Sequence, residues 1–249
     1  MEMKHRQKHI SLRCSNQGFT MVELLVAMVV SLLAMAAIYS TFLTQFKSYH
    51  VQEEAADMQQ NIRAAMYYMQ KEIRMAGCDP QRIGGFGITQ VNGGFANSNS
   101  IRFTEDVGDG AGGQPDGDVT DLNEDIGYRL DANNNLIRTD YNGGGVGVQT
   151  SARVAQNIDA IDFVYFDGAD PPVRLNPFSG GLTNVSATDY DKIRSIEITI
   201  VARTDDPLLP SSTTRSYVNQ QNDTIYAPGA NNWSRRRLTV SLRCRNFGL

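Results

Sequence analysis

The N-terminal part of the chain is dominated by one long apolar run. Between Phe19 and Phe46 the only charged residue is Glu23. About 20 apolar residues in a helix are enough to cross the hydrocarbon core of a bilayer, so this run is long enough to span a membrane. No proline or glycine interrupts the chain between Phe19 and Gly77. The pattern therefore predicts one continuous helix over residues 19–76.

The second half of this predicted helix is amphipathic. Its apolar residues recur at intervals of three and four, which places them on one helical face. This stripe consists of Val51, Ala55, Met58, Ile62, Ala65, Met69, Ile73 and Ala76. A stripe of this kind predicts packing against the protein's own domain, and the alternative, a coiled coil, needs more heptads than this stretch supplies.

Beyond Gly77 the pattern changes to short apolar or alternating runs between turn residues. Such runs predict strands, and they cover residues 100–104, 126–130, 136–139, 158–166, 193–203 and 237–244. Residues 131–135 are rich in Asn and Asp and predict a hairpin loop. We therefore expect an α+β fold, in which the long N-terminal helix packs on an antiparallel β-sheet with one covered face.

Charge is unevenly distributed along the chain. The net charge is −4, and residues 1–18 contribute +3 because Lys4, Arg6, Lys8 and Arg13 outweigh Glu2. The remainder therefore carries −7. A short basic segment before an apolar run favours a cytoplasmic N-terminus. The acidic body argues against nucleic-acid binding, which usually requires a basic face.

Glu23 is the anomaly of the apolar run. A charged side chain at the centre of a membrane helix costs about 2.5–3.5 kcal/mol, so such residues usually have a function. The stretch GFTMVEL at residues 18–24 resembles the class III signal of type IV pilins and type II secretion pseudopilins. In those proteins a basic leader ends in glycine, and a glutamate lies near the start of the apolar helix.

The resemblance implies how the N-terminus is processed. A prepilin peptidase would cut between Gly18 and Phe19, and the new amine of Phe19 would be N-methylated. Glu23 would stay in the membrane and pair, in a filament, with the amine of a neighbouring subunit. The domains expected are a leader over 1–18, a helix over 19–76 that is transmembrane to about residue 42, and a β-rich domain over 77–249.

Two alternatives for the N-terminus remain. The first is a conventional secretory signal peptide, since Ala34-Met35-Ala36 offers a cleavage site of the usual kind. The second is an uncleaved anchor that carries a periplasmic enzyme or binding domain. The charge of Glu23 within the apolar run and the continuation of the helical pattern beyond Ala36 both weigh against a signal peptide.

Several stretches of the body resemble the PilW family of minor pilins, and more loosely the J-type pseudopilins. They are residues 71–78, 128–130, 155–158, 163–165 and 237–246. The resemblance implies a minor pilin that is present in low number and aids initiation or tip assembly of a type IV pilus. The alternative is a type II secretion pseudopilin of the J type.

This resemblance also implies partners and a location. The partners would be other pilins, the prepilin peptidase, the inner-membrane assembly platform and the lipid bilayer. The protein would lie in the inner membrane, with its body in the periplasm, and then in the pilus filament. An adhesive role at the filament tip stays open.

The chain contains three cysteines. Removal of residues 1–18 would remove Cys14 and leave Cys78 and Cys244. Two cysteines in an exported domain favour one disulfide, and two unpaired thiols are the alternative.

Candidate cofactor chemistry is confined to an acidic segment over residues 105–125. Asp121, Asn123 and Asp125 have the spacing of the start of an EF-hand calcium loop. The sixth position is Ile126 rather than Gly, and the twelfth is Ala132 rather than Glu. The sequence therefore makes these three residues weak calcium candidates, with a solvated loop as the alternative.

Catalytic motifs are absent from the sequence. Two of the three histidines, His5 and His9, lie in the predicted leader, and His50 lies in the long helix. This excludes a histidine-based triad and a multi-histidine zinc site in the processed chain. No phosphate-binding loop or nucleophile-elbow motif is present, so we expect a structural protein rather than an enzyme.

Overall fold

The computed structural model describes most of the chain. The described residues are 18–91, 100–108, 114–145, 147–176, 185–207 and 212–247. Contacts along the backbone divide the chain into two units, with the boundary between His50 and Val51.

One helix, α1, runs from Met21 to Met75, close to the predicted range. Its part up to His50 has every side chain exposed, and α1 is long and apolar enough to cross a membrane. Gly77, two residues beyond the end of the helix, has a φ of +76°. A glycine in this left-handed conformation is a common way to end a helix, and the Cys78 amide donates to the Met75 carbonyl at 2.8 Å.

Ten strands follow α1 within the described residues. They are β1 Ile88–Val91, β2 Ile101–Thr104, β3 Asp125–Leu130, β4 Leu136–Asp140, β5 Thr150–Ala155, β6 Ile158–Phe166, β7 Ser195–Arg203, β8 Tyr217–Val218, β9 Thr224–Tyr226 and β10 Arg235–Arg243. A 3-10 helix covers Ala187–Lys192. The strands form a five-stranded sheet in the order β1-β2-β3-β4-β5, a three-stranded sheet in the order β10-β7-β6, and the β8-β9 pair.

The predicted hairpin connects β3 and β4. Asp131 Oδ1 accepts hydrogen bonds from the amides of Asn133 at 2.9 Å and Asn135 at 2.8 Å. Asn134 takes a φ of 61°, a left-handed conformation that asparagine tolerates better than most residues. The Asn-rich sequence therefore fixes both the turn and the register of these two strands.

The second half of α1 supplies one wall of the core. Met58, Ile62, Ala65, Met66, Met69 and Ile73 are all buried and belong to one apolar cluster with residues of both larger sheets. The predicted stripe is confirmed from Met58 onwards. Val51, its first predicted member, is 44% exposed, because the apolar cluster of the domain begins only at Met58.

The expectation of one sheet with a single covered face was wrong. The strands divide between separate sheets, and β7 is buried along nearly its whole length. Its polar residue Glu197 is only 4% exposed. The segment around the β8-β9 turn covers this second face, with Gln221 Nε2 donating to Glu197 Oε2 at 3.3 Å and Asn219 Nδ2 donating to Asp162 Oδ2 at 3.0 Å. The alternation in β7 therefore separates two packed faces rather than a packed face and a solvated one.

A polar cluster fastens the end of α1 to the five-stranded sheet. Glu72 of α1 accepts hydrogen bonds from Arg138 Nε at 2.9 and 3.0 Å and from the Tyr128 hydroxyl. Arg138 lies on β4 and Tyr128 on β3. The cluster therefore fixes the rotation of α1 against the sheet.

Glu105 lies beside this cluster and is only 5% exposed. Burial raises the pKa of its carboxyl to about 8, and the nearby charges of Glu72 and Glu124 act in the same direction, whereas Arg138 opposes them. An ordinary glutamate would be ionised at neutral pH, so the fold holds this group protonated over a wide range.

As the pH rises, the buried carboxyl of Glu105 is expected to lower the stability of the folded chain. Its pKa is about 8 in the folded chain, against an ordinary value of 4.5. The folded state therefore retains a proton that the unfolded state has lost, and raising the pH across this window removes stability. Glu105→Gln should reduce the difference between urea midpoints measured at about pH 5 and about pH 8. Fluorescence of Trp233, the only tryptophan of the chain, reports the transition.

Glu53→Gln is the matched control, since Glu53 is exposed on α1. It should leave the difference between the two midpoints as in the wild type. An unchanged difference in Glu105→Gln would contradict a buried, protonated Glu105.

Candidate processing and assembly site

The start of α1 is a capping box formed by Thr20 and Glu23. The Glu23 amide donates to Thr20 Oγ1 at 3.2 Å. In return, Glu23 Oε2 accepts from the Thr20 amide and from the Thr20 hydroxyl, each at 3.0 Å. This reciprocal pair satisfies amides that have no partner within the helix, so Glu23 fixes the residue at which α1 begins.

The predicted cleavage site lies directly before this cap. Gly18 and Phe19 are outside the helix, and both are exposed. Phe19 is 88% exposed, and a Cβ added at Gly18 would meet no atom within 4 Å. The bond between them is therefore accessible as non-helical backbone, the form that a peptidase needs to bind.

Polar side chains within the apolar part of α1 have local hydrogen-bond partners. The hydroxyls of Ser31, Ser40, Thr41 and Thr44 donate to helix carbonyls three or four residues earlier, at 2.7–3.0 Å. A hydroxyl that bonds its own helix can enter hydrocarbon without an unsatisfied donor. These residues are therefore compatible with a membrane span.

The apolar surface of this segment is extensive. Large hydrophobic side chains from Phe19 to Phe46 are 40–88% exposed within their unit. A continuous apolar surface of this length is not stable in water. It requires cover from lipid or from other protein chains.

The predicted disulfide is not present in the structure, where Cys78 and Cys244 are both free thiols. Cys244 is 4% exposed and forms part of the apolar core, and burial raises its pKa to about 12. Burial also raises the pKa of Cys78, and the carboxylates of Glu105 and Asp106 raise it further. Disulfide formation proceeds through the thiolate, so both environments slow this reaction in the folded chain.

The predicted calcium residues do not form a common site. Asp125 is paired with Arg102, at 2.7 Å to Nε and 2.5 Å to Nη2. Asn123 Oδ1 accepts from Arg138 Nη2 at 2.8 Å. Two of the three oxygen donors are therefore directed at guanidinium groups, whereas Asp121 belongs to a different group of carboxylates, in the turn before β3.

A comparison with known protein families agrees with the N-terminal motif. Residues 13–39 match the family model described as the prokaryotic N-terminal methylation motif. Among solved structures, the chain is similar to the type IV-like pilin TTHA1219 from Thermus thermophilus, with 11% sequence identity and a TM-score of 0.49, over 77% of this chain and 98% of that chain. No curated protein matches the chain by sequence.

The motif match confirms the predicted class III signal. The cut after Gly18, the methylation of Phe19 and the pairing of Glu23 stay predictions. The expected architecture, a long N-terminal helix with an antiparallel β domain, is confirmed by the elements described above. The capping role of Glu23 was missed, although Thr20-x-x-Glu23 has the spacing of a capping box.

Proposed function

We propose that the protein is a subunit of a type IV filament, made as a membrane-anchored precursor and cut between Gly18 and Phe19. The observation that carries this proposal is the N-terminal methylation motif over residues 13–39. The exposed Gly18–Phe19 bond lies within it, directly before the capped start of a helix that is apolar enough to cross a membrane.

Cleavage would change the electrostatics of the helix start. It converts the amide of Phe19 into a cationic amine, next to the positive end of the helix dipole. The cationic amine and the positive end of the dipole repel each other. The negative carboxylate of Glu23 is attracted to both and offsets this repulsion. The hydrogen bonds described for Glu23 end on Oε2, so in the proposed filament Oε1 would accept from the amine of a neighbouring subunit.

Within this role, we propose a minor pilin that is incorporated in low number and aids initiation or tip assembly. Support comes from the PilW-like stretches of the body, over residues 71–78, 128–130 and 237–246. The partners would be other pilins, the prepilin peptidase and the inner-membrane assembly platform. The precursor would lie in the inner membrane with its body in the periplasm.

The mature N-terminus tests the proposal. Intact-mass analysis of the membrane-extracted chain should show a start at Phe19 carrying one added methyl group. Gly18→Val should block the cut and retain residues 1–18. Because a side chain at Gly18 has open space around it, the variant should fold normally, so a failure to cut would arise at the peptidase.

Gly229→Val is the control, since a Cβ at Gly229 also meets no atom within 4 Å. It should be processed as the wild type. A wild-type chain that starts at Met1 would indicate an uncleaved anchor, and a start between Met35 and Ala37 would indicate a secretory signal peptide. Either result would contradict the proposal.

Location distinguishes the two filament types. Mass spectrometry should find the processed chain in sheared, purified pili at a small fraction of the most abundant subunit. A processed chain that is confined to the cell envelope would contradict the pilus assignment and favour the J-type pseudopilin.

A further inference from the structure

Strand β10 forms one edge of the three-stranded sheet, and no strand of the described residues pairs with its outer side. Its nine residues pair with β7 in one continuous register. The pairings of β1, β5 and β6, which form the other edges of the two larger sheets, each contain a register shift. Every second residue of an edge strand directs its N–H and C=O groups away from the neighbouring strand. The outer side of β10 is therefore the most regular backbone template that these two sheets offer to an added strand.

Positive charge is concentrated on the same strand. Residues 224–249 contain five arginines and no aspartate or glutamate, for a net charge of +5. The rest of the chain after residue 18 carries −12. All five arginines lie in β10 or within two residues of its end, at positions 235, 236, 237, 243 and 245. An acidic body thus presents one basic edge.

Four of these arginines have no acidic partner. Arg235 is buried against Asp159, whereas the other four are exposed. None of the four forms an ion pair with a carboxylate of the described residues. Elsewhere in the domain, Arg102, Arg138 and Arg174 each pair with a carboxylate. The exposed guanidinium groups of β10 are therefore available to an anionic partner.

Charged residues on an edge strand often serve only to prevent pairing with other chains. Protected edges are commonly short or interrupted by a bulge, and β10 is neither. The two edges of the five-stranded sheet, β1 and β5, carry only one arginine between them, Arg153. Arginines along a long and regular edge repel a basic strand and attract an acidic one, so they select a partner rather than exclude all partners.

We propose that the outer edge of β10 binds an acidic, extended segment of another protein by strand addition. Backbone hydrogen bonds would join the two strands, and carboxylates of the added strand would pair with the arginines. Because successive residues alternate between the faces of a strand, Arg236 flanks the edge on one face, and Arg237 and Arg243 flank it on the other. A segment with carboxylates on both faces fits this arrangement.

The free backbone edge favours a polypeptide over a nucleic acid as the partner. Phosphates would also be attracted to the arginines, but a nucleic acid has no peptide groups to pair with β10. The proposed surface belongs to the β domain alone and does not depend on the cut after Gly18.

Binding of a synthetic peptide to the full-length chain in detergent tests the proposal. The peptide has the length of β10, is fluorescently labelled, and contains glutamates on both faces separated by threonine and valine. Fluorescence anisotropy should show saturable binding with a dissociation constant below about 1 mM. Hydrogen exchange of the backbone should slow over residues 235–243 and stay unchanged over β5, because only the pairing edge gains hydrogen bonds.

A second peptide separates strand pairing from charge. It has the same sequence, with methyl groups on alternate backbone nitrogens, so it retains every carboxylate but cannot add as a strand. It should bind at least about tenfold more weakly, since several backbone hydrogen bonds are lost.

The double variant Arg236→Gln, Arg243→Gln should bind the first peptide about 3–30-fold more weakly. Exposed ion pairs are individually modest, and two distant sites act independently. Both side chains are exposed, so the fold should be retained. Arg153→Gln, which removes an exposed arginine from β5, should bind as the wild type.

Three results would overturn strand addition at β10. The first is a wild type that does not bind the peptide, or that gains protection only outside β10. The second is unchanged affinity in the double variant. The third is equal binding of the methylated peptide, or of a single-stranded DNA oligonucleotide, because the edge would then attract anions through charge alone.

Discussion

Glu23→Gln is expected to be cut and methylated normally but to be nearly absent from filaments. Glutamine can take the place of glutamate in a capping box, so the variant should retain the hydrogen bonds with Thr20 that start α1. It cannot neutralise the cationic amine of Phe19 in a neighbouring subunit. The substitution therefore separates the capping role of Glu23 from its proposed role in assembly.

The size of the expected effect follows from the cost of an unpaired charge. Removing one partner of a buried ion pair typically costs about 3–5 kcal/mol. At about 1.4 kcal/mol for each tenfold change, the lower figure corresponds to ~100-fold weaker incorporation. The measurement is the amount of the protein in purified pili, relative to the amount of processed protein in the membrane. Glu23→Ala should lose the cap as well and show at least the same defect.

Glu53→Gln makes the same chemical change further along α1, at an exposed position beyond the apolar run. We expect it to enter filaments at the wild-type level. If Glu23→Gln also enters at that level, the carboxylate has no part in assembly and its role is limited to capping the helix.

The features that could be predicted from sequence are those set by neighbouring residues. The cleavage motif, the uninterrupted helix and the β3–β4 hairpin each depend on residues close together in the chain. Strands β1 and β5 were missed for a related reason. Both lie at edges of the five-stranded sheet, and β5 is mostly exposed, so its sequence lacks the apolar alternation that marks a half-buried strand.

The residues at the EF-hand-like spacing, which were weak calcium candidates, do not share a site because two of them meet partners from distant segments. Spacing alone favoured Asp121, Asn123 and Asp125, which alternate as in a calcium loop. The antiparallel arrangement of β2, β3 and β4 then brings Arg102 to Asp125 and Arg138 to Asn123. No local pattern reveals which cation a carboxylate will meet after folding.

The same limit applies to Asp159, which lies near the start of β6 and has no distinguishing local pattern. Its side chain has 0% exposure, and it pairs with Arg235 at 2.5 Å and with Arg203 at 3.4 Å. The Arg235 side chain is 1% exposed. Trp233 lies against the same group, with its ring centre 4.5 Å from the Arg203 guanidinium. One buried carboxylate therefore pairs with two guanidinium groups, from β7 and β10.

Asp159→Asn is expected to lower the free energy of unfolding by about 3–5 kcal/mol, because it leaves two guanidinium groups without their buried counter-charge. Urea unfolding of the full chain in detergent, followed by far-ultraviolet circular dichroism and by Trp233 fluorescence, measures the change. Adding Arg235→Met to Asp159→Asn should recover part of the loss, since it removes one of the two positive charges left without a buried partner.

Asp189→Asn provides the comparison, since it breaks a surface pair with Lys192, whose side chain is 63% exposed. Exposed pairs contribute about 0–1 kcal/mol because water and salt screen them, so its urea midpoint should barely move. A loss of similar size in both variants would mean that burial does not strengthen the Asp159 cluster. A double variant less stable than Asp159→Asn alone would mean that Arg235 acts mainly through its packing and its remaining hydrogen bonds, with Asn231 at 2.6 Å and Tyr226 at 3.5 Å.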